Sequence, residues 1–198
     1  MTDTDLRIEP LSEQSADAWV ALFDACGCAC FCRYWHFDGT KNEWLARSSE
    51  ALPTNCEEQL GLVRNGAVEA RGLVAMRANL AVGWMKLTPR ACLRKLTRQG
   101  AYRALDLGPD EGIWSVGCLL VRPCERRRGV ASALVAAAEE WTRRWGGRAV
   151  EAYPQRVTYA LHDEEAWMGP EVVFVERRWE AVHDVAPYPV YRKTVRSD

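Results

Sequence analysis

The sequence has almost no excess of either charge, 26 basic residues against 27 acidic for a net of −1. A balance of that kind leaves no electrostatic footprint for nucleic acid or an anionic membrane, so neither is expected as a main partner. No apolar run approaches the roughly 20 residues of a membrane span. The opening MTDTDLRIEP lacks the basic and apolar regions of a signal peptide, which points to the cytoplasm. Repeats, linkers and low-complexity segments are also missing. The expectation is one soluble domain over residues 1–198, long enough for a full core.

What is present in quantity is cysteine and tryptophan, eight and nine residues respectively. Cys26, Cys28, Cys30 and Cys32 alternate within CGCACFC. In a reducing compartment such residues are thiols, metal ligands or packed side chains rather than disulfides. A structural zinc site takes pairs of cysteines from two places. Alternate residues of an extended segment lie about 6–7 Å apart, so four such thiols reach one metal only if the segment coils tightly. Packed or pocket-lining thiols are the expectation, and no metal is expected. A thiol or metal redox protein built on Cys26 to Cys32 is the competing reading.

The patterning reads as α+β. Residues 6–8 form an edge strand ending at Pro10, and residues 15–23 a helix with Ala16, Trp19, Val20 and Phe23 on one stripe. Residues 48–64 are mostly helical and stop at Asn65-Gly66. Strands at 73–77 and 80–87 make a hairpin. A basic helix is predicted over 91–105 and a nearly continuous apolar strand over 112–121. The main helix spans 129–145, followed by a strand at 149–153. Strand, helix and strand over this distance make a right-handed parallel unit. A last helix over 164–178, interrupted at Gly169-Pro170, leads to closing antiparallel strands at 179–185 and 190–195. Those final strands are exposed enough to support a homodimer.

The stretch IWSVGCLLVRPCERRRGVASALV joins the apolar strand to the main helix. A helix start offers unpaired N–H groups and a partial positive charge, and Gly129 lets a ligand approach the backbone closely. The pattern Arg126-Arg127-Arg128-Gly129-Val130-Ala131, preceded by Leu119-x-Val121-x-Pro123, resembles the cofactor motif of the GNAT superfamily of N-acetyltransferases. The pieces CGCACFCRYW, AVGWMKLTPR and VEAYP are similar to a bacterial GNAT subgroup with a Cys/Trp-rich N-terminal segment.

The resemblance implies a mixed, mostly antiparallel sheet with a central splayed parallel pair and flanking helices. It implies acetyl-CoA as cosubstrate and an amine acceptor, either a small molecule or a peptide or protein amine. Leu119, Leu120 and Val121 would face the pantetheine arm. Arg126, Arg127, Arg128, Gly129, Val130, Ala131 and Ser132 would hold the pyrophosphate. Tyr34, Trp35, Trp84 and Trp114 are expected to line the acceptor pocket.

The family's usual acid and base do not carry over. Phe174 stands where a Tyr is usual, and Trp114 and Ser115 where a carboxylate is frequent. Glu151 and Tyr153, two apart on one strand, share a face and are the substitutes, Glu151 as base and Tyr153 as acid. Ser115 and Cys118 fall on opposite faces of their strand, and Cys118 near the thioester leaves a Cys-acyl route open. His36 and His162 lie in loops, where a lone histidine is more often solvated. A non-catalytic acyl-CoA sensor is the rival within the same fold.

Overall fold

The computed structural model describes residues 6–50, 52–159, 162 and 165–195. The first strand, β1 (Leu6–Pro10), lies at one sheet edge. Helix α1 (Ala16–Ala25) follows, and its Trp19, Leu22 and Phe23 are buried on one stripe. Next come α2 (Lys41–Glu50) and α3 (Leu52–Arg64). The helix predicted over 48–64 is thus two helices, with residue 51 between them outside the described residues.

The hairpin β2 (Gly72–Arg77) and β3 (Leu80–Pro89) forms as expected. The helix predicted over 91–105 shrinks to α4 (Arg94–Thr97). Its buried positions, Leu93, Leu96 and Tyr102, are anchored through turns instead. Gly100 costs about 1 kcal/mol inside a helix, and the apolar spacing lacks a continuous stripe to offset it.

After β4 (Ile113–Val121), α5 (Val130–Arg144) and β5 (Ala149–Ala152) complete the predicted parallel unit. The last predicted helix is reduced to α6 (Glu171–Glu176), because Gly169 adopts φ +91° and Pro170 becomes the N-cap. Residues 163 and 164, around the predicted start of that helix, lie outside the described residues. Strands β6 (Glu180–His183) and β7 (Val190–Thr194) close the sheet.

Among the described residues seven strands form one sheet in the order β1-β2-β3-β4-β5-β7-β6. Each neighbouring pair is antiparallel except β4 with β5. Helix α5 covers one face with Val130, Leu134, Val135 and Ala138 against Leu73, Met85, Leu87 and Val116. A Cβ on Gly83 would lie 2.5 Å from Val130 Cγ1, so the absent side chain is what lets α5 approach β3. Trp19, Phe23, Phe31 and Trp84 fill the opposite face. No helix of the described residues is long and apolar enough to cross a membrane.

Lys86 is the one lysine among the fully buried large side chains. Its Nζ donates to Gln59 Oε1 at 3.3 Å and to the Glu69 carbonyl at 2.5 Å. Burial pushes its ammonium down from 10.5 to about 8, with the nearby Arg33 adding to the effect. Between those values the unfolded chain holds the proton more tightly than the folded one, so stability rises with pH across that window. In urea unfolding, the wild-type advantage over Lys86→Met should grow by about 1–3 kcal/mol from pH ~7.5 to ~10. A difference that stays flat with pH would contradict a Lys86 that releases its proton more readily in the fold than in the unfolded chain.

Candidate active site

The site begins where the parallel pair comes apart. Strands β4 and β5 are joined at Ile113 with Ala149, Trp114 with Val150 and Ser115 with Glu151, and no further. Beside the opening, β4 bulges against β3: Leu87 pairs with Val116 but Lys86 pairs with Cys118, leaving Gly117 extra. The bulge changes which residues share a face. Trp114, Val116 and Leu119 join the α5 core, while Cys118 and Leu120 join the core under α1. Ser115 and Cys118 therefore share a face, contrary to strict alternation. The Gly117 carbonyl accepts the Trp35 indole N–H at 2.7 Å.

Beyond β4 the chain turns through Pro123–Glu125 and reaches α5 with two left-handed residues, Arg127 at φ +59° and Gly129 at φ +80°. A Cβ on Gly129 would meet nothing within 4 Å, so the backbone conformation rather than crowding calls for glycine there. The first helical bond runs from Ala133 N–H to Gly129 O at 2.9 Å. The N–H groups of Val130, Ala131 and Ser132 precede that bond and stand at the positive end of a 15-residue helix. They face a cavity of about 860 Å³.

Every residue expected to hold the cofactor lines this cavity except Arg128. Arg128 is 59% exposed and turns to Glu125 Oε1 at 3.4 Å. Cys26, Cys28, Cys30 and Cys118 form much of the opposite wall. The cysteine segment is coiled rather than extended, with left-handed Gly27, Phe31 and Cys32, and brings Cys28 Sγ within 3.3 Å of Cys30 Sγ. It thus borders this cavity. The Cys28 contact pulls the Cys30 thiol down, but the Cys32 contact and burial outweigh it and push the thiol up to about 12, so it stays protonated near neutrality. Among the described residues no group of three or more His, Cys, Asp or Glu side chains is arranged to hold a metal.

A second cavity, of about 140 Å³, lies beyond Trp167. Ala166 and Trp167 line both cavities. The Trp167 ring stacks on Trp35 at 5.2 Å, and its carbonyl accepts the Leu119 N–H at 2.7 Å across the splayed gap. Of the expected acceptor residues Trp35 alone lines this cavity. Tyr34 packs beside Trp35 and Trp44 under Lys95 instead. Trp84 is fully buried against Trp19 and donates its indole N–H to Cys32 Sγ at 3.2 Å. Trp114 points to the α5 face, stacked on Trp145 at 4.9 Å. Sequence reasoning missed Gln99, Tyr102, Gln155, Glu165, Trp167 and Tyr188, which complete the small cavity's polar and aromatic wall. They sit in turns, where no periodicity marks a facing direction.

Glu151 and Tyr153 do share a face, but only Tyr153 reaches the small cavity. Glu151 lies behind it, fully buried, and accepts the Tyr153 O–H at 2.7 Å. Arg90 Nη1 reaches its two oxygens at 3.2 and 3.3 Å, and Arg192 Nε donates to Oε1 at 2.8 Å. Glu151, expected to share the pocket face with Tyr153, is therefore set behind that residue and off the cavity wall. Since Tyr153 gives its proton to Glu151, its oxygen is free to accept from Ser115 Oγ at 3.0 Å. Burial holds the Tyr153 hydroxyl well above the usual tyrosine range, with Glu151 adding to the effect. Phe174 is fully buried against Trp179, and its neighbour Val173 lines the larger cavity. His36 is partly buried and pushed down to about 2, chiefly by desolvation, and lines neither cavity; His162 is exposed.

Residues 47–164 match the model of the acetyltransferase (GNAT) family. The chain belongs to this family. Comparison with curated proteins found no match. Among solved structures, the GNAT chain is similar to the PaiA N-acetyltransferase of Thermoplasma acidophilum in complex with coenzyme A. The TM-score is 0.55 at 10% identity, covering 96% of this chain and 99% of that one. An N-acetyltransferase of Staphylococcus aureus Mu50 gives 0.54 at 11% identity, covering 98% and 100%. A GNAT family acetyltransferase of Streptococcus pneumoniae gives 0.52 at 14%, covering 97% and 100%. At these identities the likeness is one of fold.

The Arg90–Glu151–Arg192 cluster fixes the point at which β4 and β5 part, and Arg90 also holds Asp110 and the carbonyls of Leu107 and Gly108. Removing one partner from a buried ion pair costs about 3–5 kcal/mol. Arg90→Met should lose that much in urea unfolding, and Arg90→Met combined with Glu151→Gln should recover part of it. A loss under about 1 kcal/mol would show that the cluster does not fix the strands.

Proposed function

We propose that this GNAT chain is an acetyl-CoA-dependent N-acetyltransferase, folded as one domain and working in the cytoplasm. One observation carries the reading: a glycine-started helix aims free N–H groups into a long cavity beside a splayed strand end. Gly129 at φ +80°, with open space where a side chain would stand, is the kind of cradle a pyrophosphate fits. The N–H groups of Val130, Ala131 and Ser132 would bind the phosphates, with Arg126 and Arg127 on the same wall. The strand end at Leu119, Leu120 and Val121 would pair with the amide-bearing arm.

When bound, acetyl-CoA supplies a thioester: a C–N bond forms to the amine as the C–S bond breaks, and the thiolate takes up a proton. Starting from a protonated amine, one net proton leaves. The Tyr153 O–H on the cavity wall and the Glu151 carboxylate behind it offer that proton a path away from the cavity, with Ser115 Oγ bonded to the Tyr153 oxygen. Arg90 and Arg192 hold the far end of the path in place. Tyr153 is the catalytic residue of this scheme, and Glu151 positions it.

Gly129→Glu places bulk and negative charge in the cradle and should weaken CoA binding by at least about 100-fold in calorimetric titration, with circular dichroism unchanged. Gly129→Ala, which meets no neighbour but is strained at this φ, should cost about 1–2 kcal/mol in stability and weaken CoA binding far less than Gly129→Glu does. Normal binding by Gly129→Glu would refute the cradle. Tyr153→Phe should lower kcat for amine acetylation about 10²–10⁴-fold while leaving CoA affinity unchanged. Tight CoA binding with no transfer to any amine by the wild type would instead identify a sensor.

A further inference from the structure

The small cavity has a chemical character that the fold does not dictate. Its wall carries five aromatic rings, from Trp35, Tyr102, Tyr153, Trp167 and Tyr188. Tyr102 stands edge-on to Tyr153 at 5.2 Å and to Tyr188 at 6.4 Å. Glu165 is the sole charged residue on this wall among the described residues, and its Oε2 accepts the His162 N–H at 3.1 Å. Among the described residues neither lysine nor arginine lines it. Aromatic faces carry negative potential and attract cations, and a carboxylate at the rim strengthens the attraction.

We propose that this cavity is the acceptor subsite and that it selects a compact protonated alkylamine carrying no carboxylate beside the amine. The inference rests on the transferase reading above and adds the class of acceptor. Size sets one limit: a volume of about 140 Å³ admits an ammonium head group of a few heavy atoms, well below a drug-sized pocket. Charge sets the other. An α-amino acid would bring its carboxylate against tyrosine faces and Glu165, with no cation to meet it. Tyr153, at the floor, joins the cage to the proton path, so the amine is captured charged and made neutral in one place.

The experiment uses the full chain and two matched pairs of probes. In calorimetric titration, choline should bind at least about tenfold more tightly than its neutral isostere 3,3-dimethylbutan-1-ol. With acetyl-CoA present, isobutylamine should be acetylated with kcat/KM about 100-fold above valine, which adds only a carboxylate. Tyr188→Ala should weaken choline binding about three- to tenfold, and Tyr188→Phe should keep most of it. Glu165→Gln should weaken choline with CoA affinity unchanged.

If CoA binds but the alcohol equals choline, or valine matches isobutylamine, the acceptor class is wrong and the transferase reading stands. If CoA fails to bind, the transferase reading falls and takes the acceptor role of this cavity with it.

Discussion

Three residue pairs hold β4 beside β5, and the site depends on their ending at Ser115 and Glu151. Strands that part expose backbone donors and acceptors, and buried groups of that kind must find partners. Here the partners come from outside the sheet. The Trp35 indole satisfies the Gly117 carbonyl, and the Trp167 carbonyl takes the Leu119 N–H. Ser115 and Tyr153 bridge the base of the gap through their hydroxyls. The opening is therefore lined by side chains and loop backbone brought from distant parts of the sequence.

At the base of the gap sits a buried carboxylate between two guanidiniums. A cluster of this kind contributes little net stability, since desolvation offsets most of the attraction. Its effect is geometric. Glu151 accepts from Arg90, Arg192 and Tyr153, so the Tyr153 hydroxyl has one low-energy direction. Arg90 and Arg192 both reach the Leu107 carbonyl, which fastens the loop before β4 to β7. The same contacts thus turn the hydroxyl proton toward Glu151, behind the cavity wall.

The glycine-started turn into α5 was legible because its signal is local. Arg126 to Ala131 are consecutive, Gly129 has one conformational use there, and the helical period after it is strong. The Glu151–Tyr153 pair was legible only to the extent that alternation holds. Glu151 and Tyr153 share a face as two-residue spacing requires, but the partners that hold Glu151 behind Tyr153 lie 61 and 41 residues off. Trp84 and Trp114 were misplaced for a related reason. Alternation says that neighbours point apart and leaves open which face meets a helix, and the Gly117 bulge breaks the count midway along β4. The small cavity's wall combines turns near residues 99–102, 153–155, 165–169 and 188, and no sequence period links them.

Trp167 belongs to the walls of both cavities and is tied to β4 through the Leu119 N–H. A partition with two wetted sides cannot move for one compartment alone. Any displacement that enlarges the long cavity reshapes the short one, and any ligand pressing on Trp35 and Trp167 from the short side alters the long one. Should an occupant of one compartment change the affinity of the other, the effect would be reciprocal, returned in equal measure.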